Sequence, residues 1–173
     1  MRPNEFARLE PYIRIEPSKN EKAPDAGQYV SLANKPHPIN RDPIDLNAAD
    51  TSALIALPGI GSKLAARIIS FREKLGGFYA VDQVSEIYGL ADSTFEKIRA
   101  FLKIQDVTLR KLNINTATKD ELKAHPYVRW NLANAIVEYR TQHGNFSNLE
   151  ELKNIGVITA EVFLKIKPYL VVQ

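Results

Sequence analysis

Leu57-Pro58-Gly59-Ile60-Gly61-Ser62-Lys63-Leu64-Ala65-Ala66-Arg67-Ile68-Ile69 reads as the end of one helix, a tight hairpin and the start of a second helix. Pro58 lacks a backbone N–H and biases Leu57 away from helical angles, so the first helix stops there. Gly59 and Gly61 are expected to adopt turn dihedrals closed to other residues, and neither puts a Cβ between backbone and ligand. Ile60 plugs the gap between the helices. Ala65, Ile68 and Ile69 keep one face of the second helix small and apolar, which lets the two helices approach. What stays exposed is a helix N-terminus with free N–H groups and a partial positive charge, a favourable place for a phosphate.

That pattern resembles the helix-hairpin-helix motif: Gly-apolar-Gly, Ala four positions on, and an apolar residue three later. Ile44-Asp45-Leu46-Asn47-Ala48-Ala49-Asp50 upstream and Arg72-Glu73-Lys74-Leu75-Gly76-Gly77-Phe78 downstream make it similar to the ComEA type, named for a DNA receptor of bacterial competence. The resemblance implies a motif that grips the DNA backbone, duplex or single-stranded, without reading sequence. It also implies a role in DNA uptake and a place in the cell envelope or periplasm.

The same unit occurs twice. Ile44 to Ile104 aligns without a gap onto Leu112 to Val172 at an offset of 68 residues, the separation of Asn47 from Asn115. Leu54 matches Leu122, Pro58 matches Pro126, Leu64-Ala65 matches Leu132-Ala133, Arg72 matches Arg140, Gly76 matches Gly144 and Phe78 matches Phe146. Phe6 to Ile15 aligns in turn with Phe95 to Ile104 and with Phe163 to Val172. The chain therefore reads as residues 1–15, the C-terminal helix remnant of an upstream repeat; 16–43, a proline-rich linker; 44–105, the first domain; and 106–173, the second. On this reading the sequence opens inside a longer protein. Phe6, Leu9, Tyr12 and Ile13 then form an apolar stripe suited to self-association or a protein partner through residues 5–15. The fold class is all-α, two tandem helix-hairpin-helix domains of short helices.

Within the first copy Asp50 caps a helix ending at Leu57, and the next runs from Ser62 to about Lys74, where Gly76-Gly77 end it. A short helix over Val81 to Ile87 follows, then a degenerate hairpin at Tyr88-Gly89-Leu90, then a helix with Phe95, Ile98 and Phe101 on one face. In the second copy Thr118 with Glu121, and Ser147 with Glu150, have capping-box spacing. Its first hairpin departs from the motif, because Tyr127 and Arg129 stand where the first copy has Gly59 and Gly61. Bulk there should keep backbone N–H groups from a phosphate, while Val128, Leu132, Ala133 and Ile136 preserve the packing.

Composition adds modest bounds. A net charge of +3 is a weak electrostatic case for nucleic acid, and the absence of cysteine excludes disulfide and thiolate chemistry. Residues 44–105 hold seven basic and seven acidic side chains, and residues 106–173 hold nine and seven. Lys63, Arg67 and Lys74 nevertheless sit on the hairpin's second helix, while Arg72 and Arg140 recur in both copies and read as structural. His37, His125 and His143 lack metal-ligand spacing, so no metal, cofactor or catalytic constellation is expected. Trp130 and Tyr127 suit stacking on a base, covering the domain surface or meeting a protein. The favoured function is DNA binding through Gly59, Ile60, Gly61, Ser62 and Lys63, with Arg67 and Lys74 in support. The alternative is a tandem-repeat scaffold for protein partners that has lost most DNA binding.

Overall fold

Asp50 starts the first helix as its sequence position demands: Oδ1 accepts the Ala53 N–H at 2.8 Å, and α1 runs Thr51–Ile55. The computed structural model describes residues 42–173. The remnant helix of 1–15, its self-association, His37 and the linker up to residue 41 lie outside the described residues. After the first hairpin comes α2, Ser62–Leu75, closed by Gly76 in the left-handed conformation at φ +83°. A 3-10 turn over Val81–Glu86 and α3, Asp92–Arg99, complete the first set of helices. The second copy repeats the order with α4 (Lys119–Ala124), α5 (Trp130–His143), a 3-10 turn (Leu149–Asn154) and α6 (Ala160–Ile166). Phe95 and Ile98 bury their side chains as the helical spacing requires, while Phe101 lies beyond the helix and only partly buried.

Each copy is tied shut where it begins and ends. β1, Ile44–Asp45, pairs in parallel with β2, Leu102–Lys103, and β3, Leu112–Asn113, pairs likewise with β4, Leu170–Val171. A parallel pair needs a long crossover, and here the whole set of helices is that crossover. Asn47 fixes the entry by bracketing Phe78, giving Nδ2 to its carbonyl at 3.0 Å and taking its N–H at 2.8 Å. Asn115 does the same for Phe146 at 3.1 and 2.9 Å. Arg72 turns inward to the carbonyls of Leu46 (3.0 Å) and Ala49 (2.7 Å), and Arg140 to that of Ile114 (2.8 Å). The structural role expected of these two arginines holds.

One expected capping box forms and one does not. Thr118 and Glu121 exchange both bonds, Glu121 Oε2 accepting the Thr118 N–H at 2.8 Å and Thr118 Oγ1 the Glu121 N–H at 3.2 Å. Ser147 and Glu150 do not pair. The turn starts one residue later than expected, with Asn148 as its N-cap, so Glu151 is the third residue in and reaches back to the Ser147 N–H (3.3 Å), while Glu150 faces Lys167 at 2.7 Å.

The two copies share a buried joint. Tyr169, from the end of the second copy, is fully buried and belongs to the apolar core of the first. Its ring lies 4.6 Å from His125 and 5.7 Å from Tyr79, centroid to centroid. Gln83 holds the polar atoms together. Its Oε1 accepts the N–H groups of Tyr79 and Ala80 at 2.8 and 3.1 Å, and its Nε2 donates to the hydroxyls of Tyr127 (3.0 Å) and Tyr169 (2.8 Å). The Tyr169 hydroxyl in turn donates to the Gly77 carbonyl at 2.9 Å. A glutamate could not make both donations, which accounts for glutamine here against Glu151 at the matching position of the second copy. Burial pushes the Tyr169 hydroxyl up to about 12 and raises that of Tyr127, where Glu86 adds to the effect, so both stay neutral. His125 is buried with Nε2 unpartnered, and burial lowers its pKa to about 4.

Candidate nucleic-acid interface

The first hairpin closes by a bond from the Ile60 N–H to the Leu57 carbonyl at 3.2 Å. Pro58 at the first corner and Gly59 at φ +83° at the second make it a type II turn, in which the second corner is closed to ordinary residues. A Cβ at Gly59 would also lie 3.0 Å from Thr94 Cγ2, a contact that Thr94 would have to shift to relieve. Ile60 is buried beneath the turn. Gly61 corrects the expectation drawn from sequence. It has φ −95° and ψ 176°, extended values open to any residue, with open space where a side chain would stand.

What Gly61 does is leave a helix uncapped. It is the N-cap of α2 and offers no side-chain acceptor, so the first-turn N–H groups over Ser62 and Lys63 remain exposed. The other three hairpin exits among the described residues differ. α3 carries Asp92 in its first turn, which repels an anion. Arg129 and Trp130 crowd the start of α5. Thr159 caps α6, its Oγ1 accepting the Val162 N–H at 3.2 Å. The first hairpin alone of these four has an uncapped helix start free of both acid and bulk.

The cations expected around it divide. Lys63 and Lys74 are exposed on α2. Arg67 is exposed too, but it reaches across to the second hairpin, donating from Nη1 to the Tyr88 carbonyl at 2.9 Å with its guanidinium 5.2 Å from the Tyr88 ring. Lys63, Arg67, Ser70 and Lys74 follow helical spacing and fall within about 60° of arc, a single stripe down α2. Arg67, Ser70 and Lys74 line one hollow with Tyr88. Sequence reading passed over Tyr88 as part of a degenerate hairpin, although an aromatic at a turn corner was itself a signal, since turn tips favour small polar residues.

In the second copy the matching hairpin serves the joint. Tyr127 stands where Gly59 does, yet among the described residues none other than glycine has positive φ, so this turn is built differently. The Tyr127 side chain packs against the first copy, and a hollow of about 420 Å³ opens beside it among Pro126, Leu132, Val157 and Val162. Of the two aromatics singled out from sequence, Tyr127 meets the neighbouring copy and Trp130 remains 66% exposed. Among the described residues no group of three His, Asp or Glu side chains could hold a metal ion, and no helix is long and apolar enough to cross a membrane.

Comparison with known proteins places these hairpins. The helix-hairpin-helix motif family matches residues 39–103 and again 107–171. Endonuclease/exonuclease/phosphatase family domain-containing protein 1 of Danio rerio is 26% identical over 147 residues, covering 75% of this chain and 27% of that protein. ComE operon protein 1 of Bacillus subtilis is 27% identical over 62 residues, 36% of this chain and 30% of that protein. An uncharacterized protein of Haemophilus influenzae is 39% identical over 59 residues, 34% of this chain and 53% of its own length. The chain thus spans about a quarter of the vertebrate relatives it matches over most of its length. No solved structure matches. With two matched units in tandem, each carrying the inward arginine and the closing strand pair, this chain belongs to the helix-hairpin-helix family.

Proposed function

We propose that this chain is a binding module that holds DNA by its backbone, without reading sequence, at the first hairpin. The observation that carries the proposal is the uncapped start of α2, where the Ser62, Lys63 and Leu64 N–H groups have no side-chain cap beside the Lys63 ammonium, while Gly59 and Ile60 shape the turn that leads to Gly61. A phosphate there would gain charge-assisted hydrogen bonds, the positive end of a fourteen-residue helix and a flanking cation. Arg67 and Lys74 extend the favourable field along the helix. No base-reading element takes part, since the donors are backbone groups and long cations that suit any sequence. Partial similarity to ComE operon protein 1 supports placing the module among competence-related DNA-handling proteins, with uptake as the process served. The vertebrate relatives show that the tandem unit also occurs in a much longer chain of another name. The module is proposed to bind rather than to catalyse.

Fluorescence anisotropy with two unrelated duplexes of equal length tests the reading. Affinities within about two-fold of each other support backbone holding, because each mismatched base pair in a specific site costs about 1–3 kcal/mol. A ten-fold preference for one sequence, or no binding to either, would contradict it.

A further inference from the structure

We propose that Tyr88 is a stacking platform for an unpaired nucleobase, so that the surface along α2 takes single-stranded DNA in preference to duplex. The proposal rests on the DNA reading above and adds to it the form of DNA.

Tyr88 is 85% exposed at the first corner of the turn closed by Leu90 N–H and the Ile87 carbonyl at 3.1 Å. Aromatic rings are not left in water at a turn tip by the demands of folding, and this one has no apolar core to fill. It is also held in place. Arg67 donates to its carbonyl at 2.9 Å and sets its guanidinium 5.2 Å from the ring centroid. Gly89, the next residue, has φ +84°, a conformation that favours glycine, and its missing side chain leaves room for Arg67 Nη1 beside the turn. The platform is thus pre-positioned, and at this exposure most of the ring stays open to solvent.

Cations flank it on the same stripe. Lys63 is one turn and Lys74 two turns from Arg67 along α2, about 6 Å and about 10 Å by helical rise. Glu73, the acid of that helix, lies about 80° or more around the axis from most of the stripe. A base stacked on Tyr88 would have its own backbone running between Lys63 and Lys74, with the uncapped start of α2 at one end. Bases within a duplex have both faces covered by their neighbours and their edges paired. Only an unpaired base offers a face to the tyrosine.

The test uses the whole chain, Tyr88→Ala and Tyr88→Phe, with circular dichroism to confirm folding. Anisotropy is read with a labelled mixed-sequence single strand, its duplex, and a strand of equal length lacking bases. The proposal expects the parent to prefer the single strand to the duplex. Tyr88→Ala should lose about 5- to 100-fold on the single strand and less than two-fold on the duplex, with Tyr88→Phe close to the parent. The parent should bind the strand without bases about 5- to 100-fold more weakly than the complete strand, a result independent of how the variant folds. Equal losses on both forms, no loss on either, or a parent that prefers duplex would overturn the stacking proposal and leave backbone holding intact. A parent that binds neither form overturns both readings.

Discussion

Gly61→Ser should stabilise the protein and weaken its grip on DNA at the same time. Position 61 has φ −95° and ψ 176°, and a Cβ there meets nothing within 4 Å, so serine fits without strain. Three other helices show what its hydroxyl would do. Asp50, Thr118 and Thr159 each accept the N–H of the residue three positions on, at 2.8, 3.2 and 3.2 Å. At position 61 the corresponding donor is the Leu64 N–H, one of those left free for a phosphate. The cap itself is worth a few tenths of a kcal/mol over glycine, and the smaller conformational freedom of the unfolded chain adds about 0.4–1 kcal/mol. Together they give about 1 kcal/mol, or a rise of about 2–4 °C in Tm for a chain of this size. DNA must then displace the serine oxygen, and losing about 1 kcal/mol of hydrogen bonding weakens binding roughly five-fold. Differential scanning calorimetry and anisotropy on one preparation read both quantities. A raised Tm with unchanged affinity would refute phosphate holding by these N–H groups, and a lowered Tm would refute the assignment of Gly61 as a vacant cap.

Gly59→Ala should behave in the opposite sense to its neighbour, losing about 1–2 kcal/mol in chemical denaturation because φ +83° is closed to alanine; a loss below about 0.3 kcal/mol would contradict the type II turn. Acid should loosen the joint between the copies. The pKa of His125 is depressed from 6.5 to about 4, so its contribution is full above about pH 6.5 and falls as pH drops towards 4. That difference is about 3 kcal/mol, and His125→Leu, which copies Leu57 of the first repeat, should flatten the stability profile across this window. Gln83→Ala leaves the Tyr79 and Ala80 N–H groups and two tyrosine hydroxyls short of a partner. It should cost about 1–3 kcal/mol while leaving DNA affinity at the first hairpin unchanged.

Much of the architecture is written locally. Asp50, Pro58, Gly76 and the Thr118–Glu121 pair act within a few residues of themselves, and the repeat exposes the inward arginines by placing Arg72 and Arg140 in register. The joint is not local. Gln83 and Tyr169 are 86 residues apart and meet only in the folded chain, so nothing in either flank announces that the Tyr127 hairpin had become a docking surface. The strand pairs are each two residues long, too short for an alternating pattern to register. Gly61 misled for a related reason. Two glycines in one motif look equivalent, yet one supplies a positive φ and the other a missing side chain. Arg67 could be placed on the correct helix face from spacing alone, but not on the Tyr88 carbonyl, a partner 21 residues away.

The central claim, that DNA is held through its phosphates at the first hairpin and along α2, is tested most directly by the salt dependence of affinity. With Lys63, Arg67 and Lys74 as the neutralising cations, log K should fall against log salt with a slope of about −3 on duplex and about −2 on a single strand. Lys63→Gln should make each slope shallower by about 0.7 to 0.9. A flat dependence, or a slope that Lys63→Gln leaves unchanged, would contradict the account.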